Sequence, residues 1–333
     1  MDMEQEDMQF LGFFGICREA FKIINSWRKI FSQITFALVL PLSLIFLAQM
    51  EVSKLLSSKI THNKILLEET KAGTPRYQRL SDVLMSEAIT LGLFKVAYLI
   101  FSLIFSLLST SGVVYTIACI YTGREVKFKK VMSVVPKVWK RLMLTFLCNS
   151  VAHFAYNIVA ALIFVVCASF LFLIHNNNFL ALLYVLLIFY LVGLVYMAIV
   201  WQLANVVTVL EDTSGFHALR KSRALLKGNM WVATFILLLL GLCHFAIQTS
   251  FQMLVVRGGS LGVASRFAYG IICLVLLFML LLFGLVLRTV IYFVCKSYHH
   301  ENIDKSALSD HLGGYYIGEY VPLKAKLDAQ LVP

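Results

Sequence analysis

Six long apolar stretches dominate the pattern of hydrophobic and polar positions along the chain. They lie at about 31–50, 89–121, 144–174, 179–210, 231–255 and 267–295. A helix needs about 20 predominantly apolar residues to cross roughly 30 Å of hydrocarbon, and all six stretches reach that length. None shows the alternation of a membrane β-strand. The pattern predicts an all-α, polytopic membrane protein with six transmembrane helices in three hairpins.

A basic amphipathic stretch precedes each hairpin, at 12–31, 125–143 and 214–229. In each stretch apolar side chains recur at helical spacing, and Lys or Arg occupies the opposite face. We predict that these helices lie in the headgroup region; the alternative is short connecting helices packed on the bundle. The basic side chains expected to contact lipid headgroups are Arg18, Lys22, Lys29, Lys127, Lys130, Lys137, Arg220, Arg223 and Lys227.

Two prolines fall within predicted helices. Pro136 lies in the second amphipathic stretch, and Pro41 lies midway along the first span. Proline removes one backbone hydrogen bond and clashes with the preceding turn. We expect Pro136 to kink or restart its helix and Pro41 to bend the first span.

Lysine and arginine are distributed unequally between the two sides of the predicted topology. Nineteen lie in the N-terminal segment, in the connectors that follow the second and fourth spans, and in the tail. Eight lie in 51–88 and 256–266. The positive-inside rule then makes both termini cytosolic. We expect a cytosolic segment 1–30, a membrane domain 31–295 and a cytosolic tail 296–333. The acidic N-terminus does not resemble a signal peptide, and residues 51–88 form a long loop on the far side.

Composition supports the membrane assignment. Hydrophobic residues make up 60% of the 333 residues and charged residues 14%, against about 45–50% and 25% in soluble domains. The net charge of +11 does not indicate nucleic acid binding, because most basic residues flank span ends, where anionic lipids attract them. Span length does not distinguish the endoplasmic reticulum from the plasma membrane.

The connector at 210–231 begins Leu-Glu-Asp-Thr-Ser-Gly-Phe-His-Ala-Leu-Arg-Lys-Ser and ends Leu-Lys-Gly-Asn-Met-Trp. It resembles the connector of multi-spanning proteins similar to the membrane domain attached to some bacterial glycerophosphodiester phosphodiesterases. The whole chain, including Tyr320-Val321-Pro322-Leu323 in the tail, resembles a plant family of six-span proteins, some labelled as binding partners of polyadenylate-binding protein. The resemblance implies a possible protein partner for the tail. It implies no activity, since the hydrolase domain has no matching segment here.

The connector residues also suit a helix without reference to any family. Thr213 or Ser214 is expected to cap the helix that follows, with Glu211 at its positive end. Gly228 and the Asn beside it suit the end of that helix.

Polar side chains recur on single faces of three spans. They are Asn149, His153 and Asn157 in the third span, Gln202 and Asn205 in the fourth, and His244, Gln248 and Gln252 in the fifth. Polar groups in hydrocarbon are costly, so these side chains are expected to face inward or toward water. One interpretation is hydrogen bonding between helices, and the other is a polar path for a solute.

Recognisable catalytic motifs are absent from the sequence. It contains no Gly-rich phosphate loop, no GxSxG elbow and no HExxH pair, and its seven cysteines form no CxxC motif. We therefore expect neither an enzyme nor a bound metal or cofactor. The function predicted is a membrane-organising or adaptor component that contacts anionic lipids on the cytosolic face; the alternative is a transporter or channel for a small solute that uses the polar faces of spans three to five.

Overall fold

The computed structural model describes residues 11–71, 73–123, 126–174, 179–258 and 262–299. Within these ranges the chain forms helices and turns and no strand. The tail residues 320–323, which carry part of the resemblance, and the acidic N-terminal residues lie outside them. The α-helices are α1 Phe13–Ser26, α2 Arg28–Ile34, α3 Leu40–Glu69, α4 Pro75–Tyr121, α5 Phe128–Ile174, α6 Phe179–Leu210, α7 Phe216–Leu225, α8 Met230–Phe251 and α9 Val263–Tyr298, with π-helical turns at Thr35–Val39 and Gln252–Val256.

Six helical segments in the described ranges are long and apolar enough to cross a membrane. Each contains one of the six predicted stretches, so the all-α, polytopic prediction is confirmed. In α5, no residue of the most apolar 18-residue window is buried inside the protein. Such a surface requires an apolar solvent, which the bilayer supplies.

The predicted loop at 51–88 is wrong, because most of it is helical. Helix α3 continues to Glu69 and α4 begins at Pro75, with Gly73 at φ 85° in the turn between them. The Asn63 Nδ2 donates a hydrogen bond of 2.8 Å to Glu87 Oε2 on the returning helix. Leaving hydrocarbon does not end a helix whose residues favour helical backbone, and this segment has no Gly or Pro before the turn. We call this pair of helical extensions the stalk.

The two prolines have different outcomes. Before Pro41 the chain widens into the π-helical turn Thr35–Val39, in which the Leu40 N–H bonds to the Thr35 carbonyl. A π-helical turn is a common device where the helical ladder is interrupted. At Pro136, by contrast, α5 continues, so the expected restart does not occur. Pro136 is exposed.

The second amphipathic stretch is consequently not a separate helix. It forms the first four turns of α5, which continues into the third span over 47 residues. The first and third stretches form α1 and α7, each interrupted by a turn before its span. No glycine occurs between residues 124 and 174, so this stretch lacks the residue that most readily ends a helix before the span.

The chain forms two compact units. The first, called the connector unit, comprises Met1–Ile30, Thr110–Leu238 and Leu285–Pro333. The second, called the stalk unit, comprises Phe31–Ser109 and Leu239–Gly284. Helices α2, α4, α8 and α9 each contribute to both units. Each unit has its own buried core, and the two are described separately below.

The core of the connector unit lies near the connectors. Val114 and Ile117 of α4, Val138 of α5 and Val207 of α6 are fully buried there. The Phe293 ring packs against Tyr121, with ring centroids 4.6 Å apart. Further along the same helices the large apolar side chains are exposed, as lipid-facing surfaces require.

The core of the stalk unit joins α3, the end of α8 and α9. Leu47, Phe251, Val256, Cys273 and Leu277 form one buried cluster. These residues come from three spans, so they hold the first span against the third hairpin within this unit.

Candidate functional site

The basic side chains predicted to contact headgroups all belong to the connector unit. Eight are exposed and Lys130 is half-buried. The exposed ones are Arg18, Lys22, Lys29, Lys127, Lys137, Arg220, Arg223 and Lys227. All lie at or before the start of an odd-numbered span, and alternating spans bring those starts to the same side. We call these nine side chains the basic surface.

Few carboxylates oppose this charge. Among the described residues of the connector unit, the acids are Glu19, Glu211 and Asp212. Glu19 is buried on α1, with its carboxylate 4.0 Å from the Lys22 ammonium. The other two are held in the network described next, so no exposed carboxylate of the described chain in this unit lacks a cationic partner.

Glu211 is the centre of an ion-pair network at the end of α6. Its Oε2 lies 2.7 Å from Lys221 Nζ, and its Oε1 lies 3.3 Å from Lys296 Nζ. The Tyr292 hydroxyl donates a 2.7 Å hydrogen bond to the same Oε1. Burial alone would raise the pKa of Glu211, but the hydrogen bonds from Lys221 and Tyr292 and the neighbouring positive charges outweigh it and lower the pKa. Glu211 is therefore ionised at neutral pH.

Arg141 of α5 holds the next residues of the connector. Its Nη1 lies 3.0 Å from Asp212 Oδ1, and its Nη2 donates to the main-chain carbonyl of Glu211. The connector is thus held by cations from α5, α7 and α9. This arrangement fixes the orientation of α7, which carries part of the basic surface.

The predicted cap of α7 is wrong. The helix begins after Gly215, at φ 63°, without a side-chain cap from Thr213 or Ser214. Instead the Gly215 N–H donates a 2.9 Å hydrogen bond to Thr145 Oγ1 of α5, which also lies 2.9 Å from Thr208 Oγ1 of α6. A hydroxyl from α5 therefore binds the backbone N–H of the residue before α7, and no side chain caps the helix itself.

Gly228 lies just after the end of α7, as the sequence predicts. Gly228 has φ 97°, a left-handed conformation that glycine adopts without strain. A Cβ at this position would lie 2.4 Å from Cε1 of Tyr298. The His299 Nε2 is 3.1 Å from the Leu225 carbonyl at the end of the helix. Glycine here permits both the turn and close packing against α9.

The apolar faces of α1 and α7 pack largely on the protein. Ile16, Ala20 and Ile23 of α1 are buried, as are Ala218 and Leu225 of α7. On α7, the Ser222 hydroxyl also donates a 2.7 Å hydrogen bond to the Val200 carbonyl of α6. This packing matches the alternative of connecting helices packed on the bundle.

Exposed aromatic side chains accompany the basic surface. Phe14 is 83% exposed and Trp231 87% exposed, with Phe21, Trp27 and Phe216 also exposed. Aromatic residues concentrate at membrane–water interfaces, where one part of the ring is apolar and another tolerates water. The connector unit thus combines exposed cations with exposed aromatic rings.

The polar residues of α5 and α6 are only partly brought together. Asn149 is buried, whereas Asn157 is exposed and accepts a 2.7 Å hydrogen bond from the Tyr190 hydroxyl of α6. Its Nδ2 donates to the carbonyl of His153, whose ring in turn approaches the Asn149 carbonyl at 3.1 Å. These contacts are mostly within one helix, with one bond between helices.

Two polar side chains of α6 have buried oxygens with no protein partner. They are Oε1 of Gln202 and Oδ1 of Asn205. Gln202 lines a cavity of about 10 Å³ together with Arg288, whose Nε is also unpaired. Arg288 and Gln202 lie 86 residues apart, so no local pattern pairs them.

The polar residues of the fifth span belong to the stalk unit. His244, Gln248 and Gln252 are each half-buried. The His244 ring meets Phe46 edge-on, with centroids 6.0 Å apart, and Gln252 begins the second π-helical turn. The prediction that the three polar faces converge stays a prediction, since they belong to different units.

The sequence does not indicate which distant residues hold Glu211. They are Arg141, Tyr292 and Lys296. Nothing in a single sequence pairs residues so far apart. No group of three or more His, Cys, Asp or Glu side chains that could hold a metal ion occurs in the described ranges.

Residues 1–332 match a family described as a domain of unknown function, DUF8558. The chain belongs to this family. No curated protein and no solved structure matches it. The DUF8558 match covers the whole membrane domain and both terminal segments. The resemblances to plant six-span proteins and to the bacterial membrane domain stay predictions.

Proposed function

We propose that this DUF8558 protein is a non-enzymatic, multi-pass membrane component that organises the membrane or acts as an adaptor by contacting anionic lipids. The observation that supports the proposal is the basic surface itself. Its cations are mostly exposed, while the carboxylates of this unit are paired in the part of the chain that the structure describes. A phosphate or carboxylate headgroup is the counter-charge that such a surface attracts.

The proposed attraction of anionic lipid is the sum of many small contributions. A Lys or Arg near an anionic leaflet contributes about 1 kcal/mol, and the contribution decreases within a Debye length of about 10 Å at 0.1 M salt. The exposed rings of Phe14 and Trp231 add interfacial anchoring. Together these terms favour an annulus enriched in anionic lipid around the connector unit.

The proposed topology places the basic surface and both termini in the cytosol, in the endoplasmic reticulum or the plasma membrane. Cytosolic leaflets carry the anionic lipids that this function requires. The tail beyond residue 299 is proposed to contact a protein partner, and no direct contact with nucleic acid is expected.

Energy transfer from tryptophan to labelled lipids tests lipid enrichment directly. The protein is reconstituted into phosphatidylcholine vesicles with phosphatidylserine, and transfer to dansyl-phosphatidylserine is compared with transfer to dansyl-phosphatidylcholine. Trp27 and Trp231 are exposed donors near the basic surface. We expect stronger transfer to the anionic probe, decreasing as salt is added.

The test variant reverses four charges of the basic surface: Arg18→Glu, Lys22→Glu, Arg220→Glu and Arg223→Glu. The matched control reverses four exposed basic residues of the stalk: Lys59→Glu, Lys71→Glu, Arg76→Glu and Arg79→Glu. We expect only the first variant to lose the preference for the anionic probe. Equal preference in the first variant and the wild type would refute the proposal.

A second candidate function is transport of a small solute. Unpartnered buried oxygens on Gln202 and Asn205 favour it, because such groups are costly in hydrocarbon. It predicts solute flux in proteoliposomes that Gln202→Leu and Asn205→Leu abolish. If these oxygens serve packing alone, the same variants change stability and there is no flux to lose.

A further inference from the structure

An apolar cavity lies within the stalk unit. Its volume is about 530 Å³, within the 300–1,000 Å³ typical of ligand pockets. Its walls come from α3, from the end of α8 with the π-helical turn, and from α9. The apolar side chains that line it include Leu44, Phe251, Val255, Phe267 and Leu274.

Two charged side chains complete the lining. Glu51 of α3 and Arg266 of α9 are the polar members, and Arg266 Nη2 lies 3.7 Å from Glu51 Oε1. Both side chains are about one-third exposed. The cavity therefore has a long apolar part and one end where opposite charges lie side by side and reach solvent.

The π-helical turn at the end of α8 positions the cations. Its last carbonyls have no partner further along the helix, and Arg266 Nε donates a 2.9 Å hydrogen bond to the Val255 carbonyl. Lys54 Nζ donates to the next carbonyl, that of Val256. Cations at a helix C-terminus are favoured by its partial negative charge. The orientation of Arg266 at the cavity end is thus built into the backbone.

Glycine keeps one wall open. A Cβ added at Gly270 would meet no heavy atom within 4 Å, although Gly270 lines the cavity. A side chain there would extend into empty space and would not clash with a neighbouring helix. Ala48 on α3 is a second small lining residue.

We propose that this cavity binds an acyl chain of a zwitterionic phospholipid, with the lipid phosphate beside Arg266 and the lipid ammonium beside Glu51. The apolar walls lie in a membrane-spanning part of the chain, where acyl chains are the available apolar ligand. Glu51 repels a headgroup with excess negative charge and attracts an ammonium group. The site thus differs in headgroup chemistry from the basic surface, and it stands independently of the function proposed above.

Photolabelling tests the acyl-chain site. The full chain is reconstituted in phosphatidylcholine vesicles that contain phosphatidylethanolamine with a diazirine on its acyl chain, and labelled peptides are mapped by mass spectrometry. We expect labelling of residues 44–51 and 263–274. Gly270→Leu should decrease that labelling at least about tenfold, which corresponds to about 1.4 kcal/mol of binding free energy.

Gly241→Leu is the matched control. Gly241 is also a helical glycine of the stalk unit with no heavy atom near an added Cβ, but it does not line the cavity. It should label like the wild type. Ala48→Leu fills the cavity from the opposite wall and provides a second test if Gly270→Leu does not fold. Undiminished labelling in a folded cavity-filling variant overturns the proposal.

Headgroup recognition is tested with the same diazirine on phosphatidylglycerol. The wild type should label more strongly with the zwitterionic lipid, and Glu51→Gln should remove that preference. Arg266→Gln should weaken labelling by both lipids. Equal labelling by both lipids in the wild type would overturn the assignment of Glu51 to the ammonium group.

Discussion

The Tyr292 hydroxyl donates a 2.7 Å hydrogen bond to Glu211 Oε1, joining the last span to the connector that follows the fourth. Lys296 lies one helical turn beyond Tyr292 and 3.3 Å from the same oxygen. Both side chains from α9 therefore contact Oε1 of the Glu211 carboxylate, and Lys221 of α7 contacts Oε2. The orientation of α7 depends on this carboxylate.

Replacing Glu211 with Gln is expected to destabilise the protein. The change leaves Lys221 and Lys296 without their counter-charge, and loss of one partner of a fully buried pair costs about 3–5 kcal/mol. Both lysines retain some access to solvent, so we expect about 2 kcal/mol. Thermal unfolding in detergent measures the loss.

Tyr292→Phe serves as the graded comparison, because it removes one hydrogen bond to a charged group and keeps the ring. We expect it to cost about 1.5 kcal/mol. If Tyr292→Phe and Glu211→Gln are both as stable as the wild type, the network does not hold the connector.

The stabilisation by Glu211 should depend on pH in a defined direction. Its pKa is lowered in the folded protein from the usual 4.5, so the folded state favours the ionised form. The contribution is complete above about pH 4.5 and disappears as pH decreases through the folded pKa. The difference in melting temperature between the wild type and Glu211→Gln should be constant from pH 7 to 5 and decrease below. A difference that grows on acidification contradicts the assignment.

Thr145→Val should weaken the α6–α7 connector. Valine has nearly the same shape, but it cannot accept the hydrogen bond from the Gly215 N–H or pair with Thr208. A buried donor left unsatisfied costs about 1–3 kcal/mol. Chemical or thermal unfolding in detergent gives the value, and Thr145→Ser, which keeps the hydroxyl, should recover most of it.

Single substitutions that create glycosylation sites test the topology. Ile65→Thr places an acceptor sequence at Asn63 on the stalk, and Trp231→Thr places one at Asn229 beside the basic surface. Both altered side chains are exposed. In a microsomal translation assay we expect a glycan on the first variant alone. Modification at Asn229 would reverse the proposed orientation.

The six spans could be predicted because helix length and hydropathy are local properties. The stalk was predicted as a loop because Lys, Glu and Ser between residues 51 and 71 were interpreted as a polar connection. These residue types are compatible with an exposed helix, and the better boundary signal was Gly73 followed by Pro75. Polarity indicates where a span leaves the bilayer, while glycine and proline indicate where its helix ends.

The Glu211 network was not predictable in the same way. Its partners on α9 are 81 and 85 residues away, and nothing in a single sequence pairs them. For the same reason the contact between Thr145 and the Gly215 N–H before α7 was not predictable, whereas local rules favour a cap from Thr213. The basic surface, by contrast, follows from periodicity within short segments, and its exposed cations agree with that pattern.

On the proposed topology, the stalk extends the chain outside the bilayer. From residue 51 to Glu69 the helix rises about 28 Å, and the returning helix is joined to it by the Asn63 amide. On that topology, about five helical turns would separate the tip at Gly73 from lipid and detergent. An epitope or fluorophore inserted at that tip would report from the aqueous compartment without contacting the transmembrane helices, which makes the tip a natural handle for purification and for single-molecule measurement.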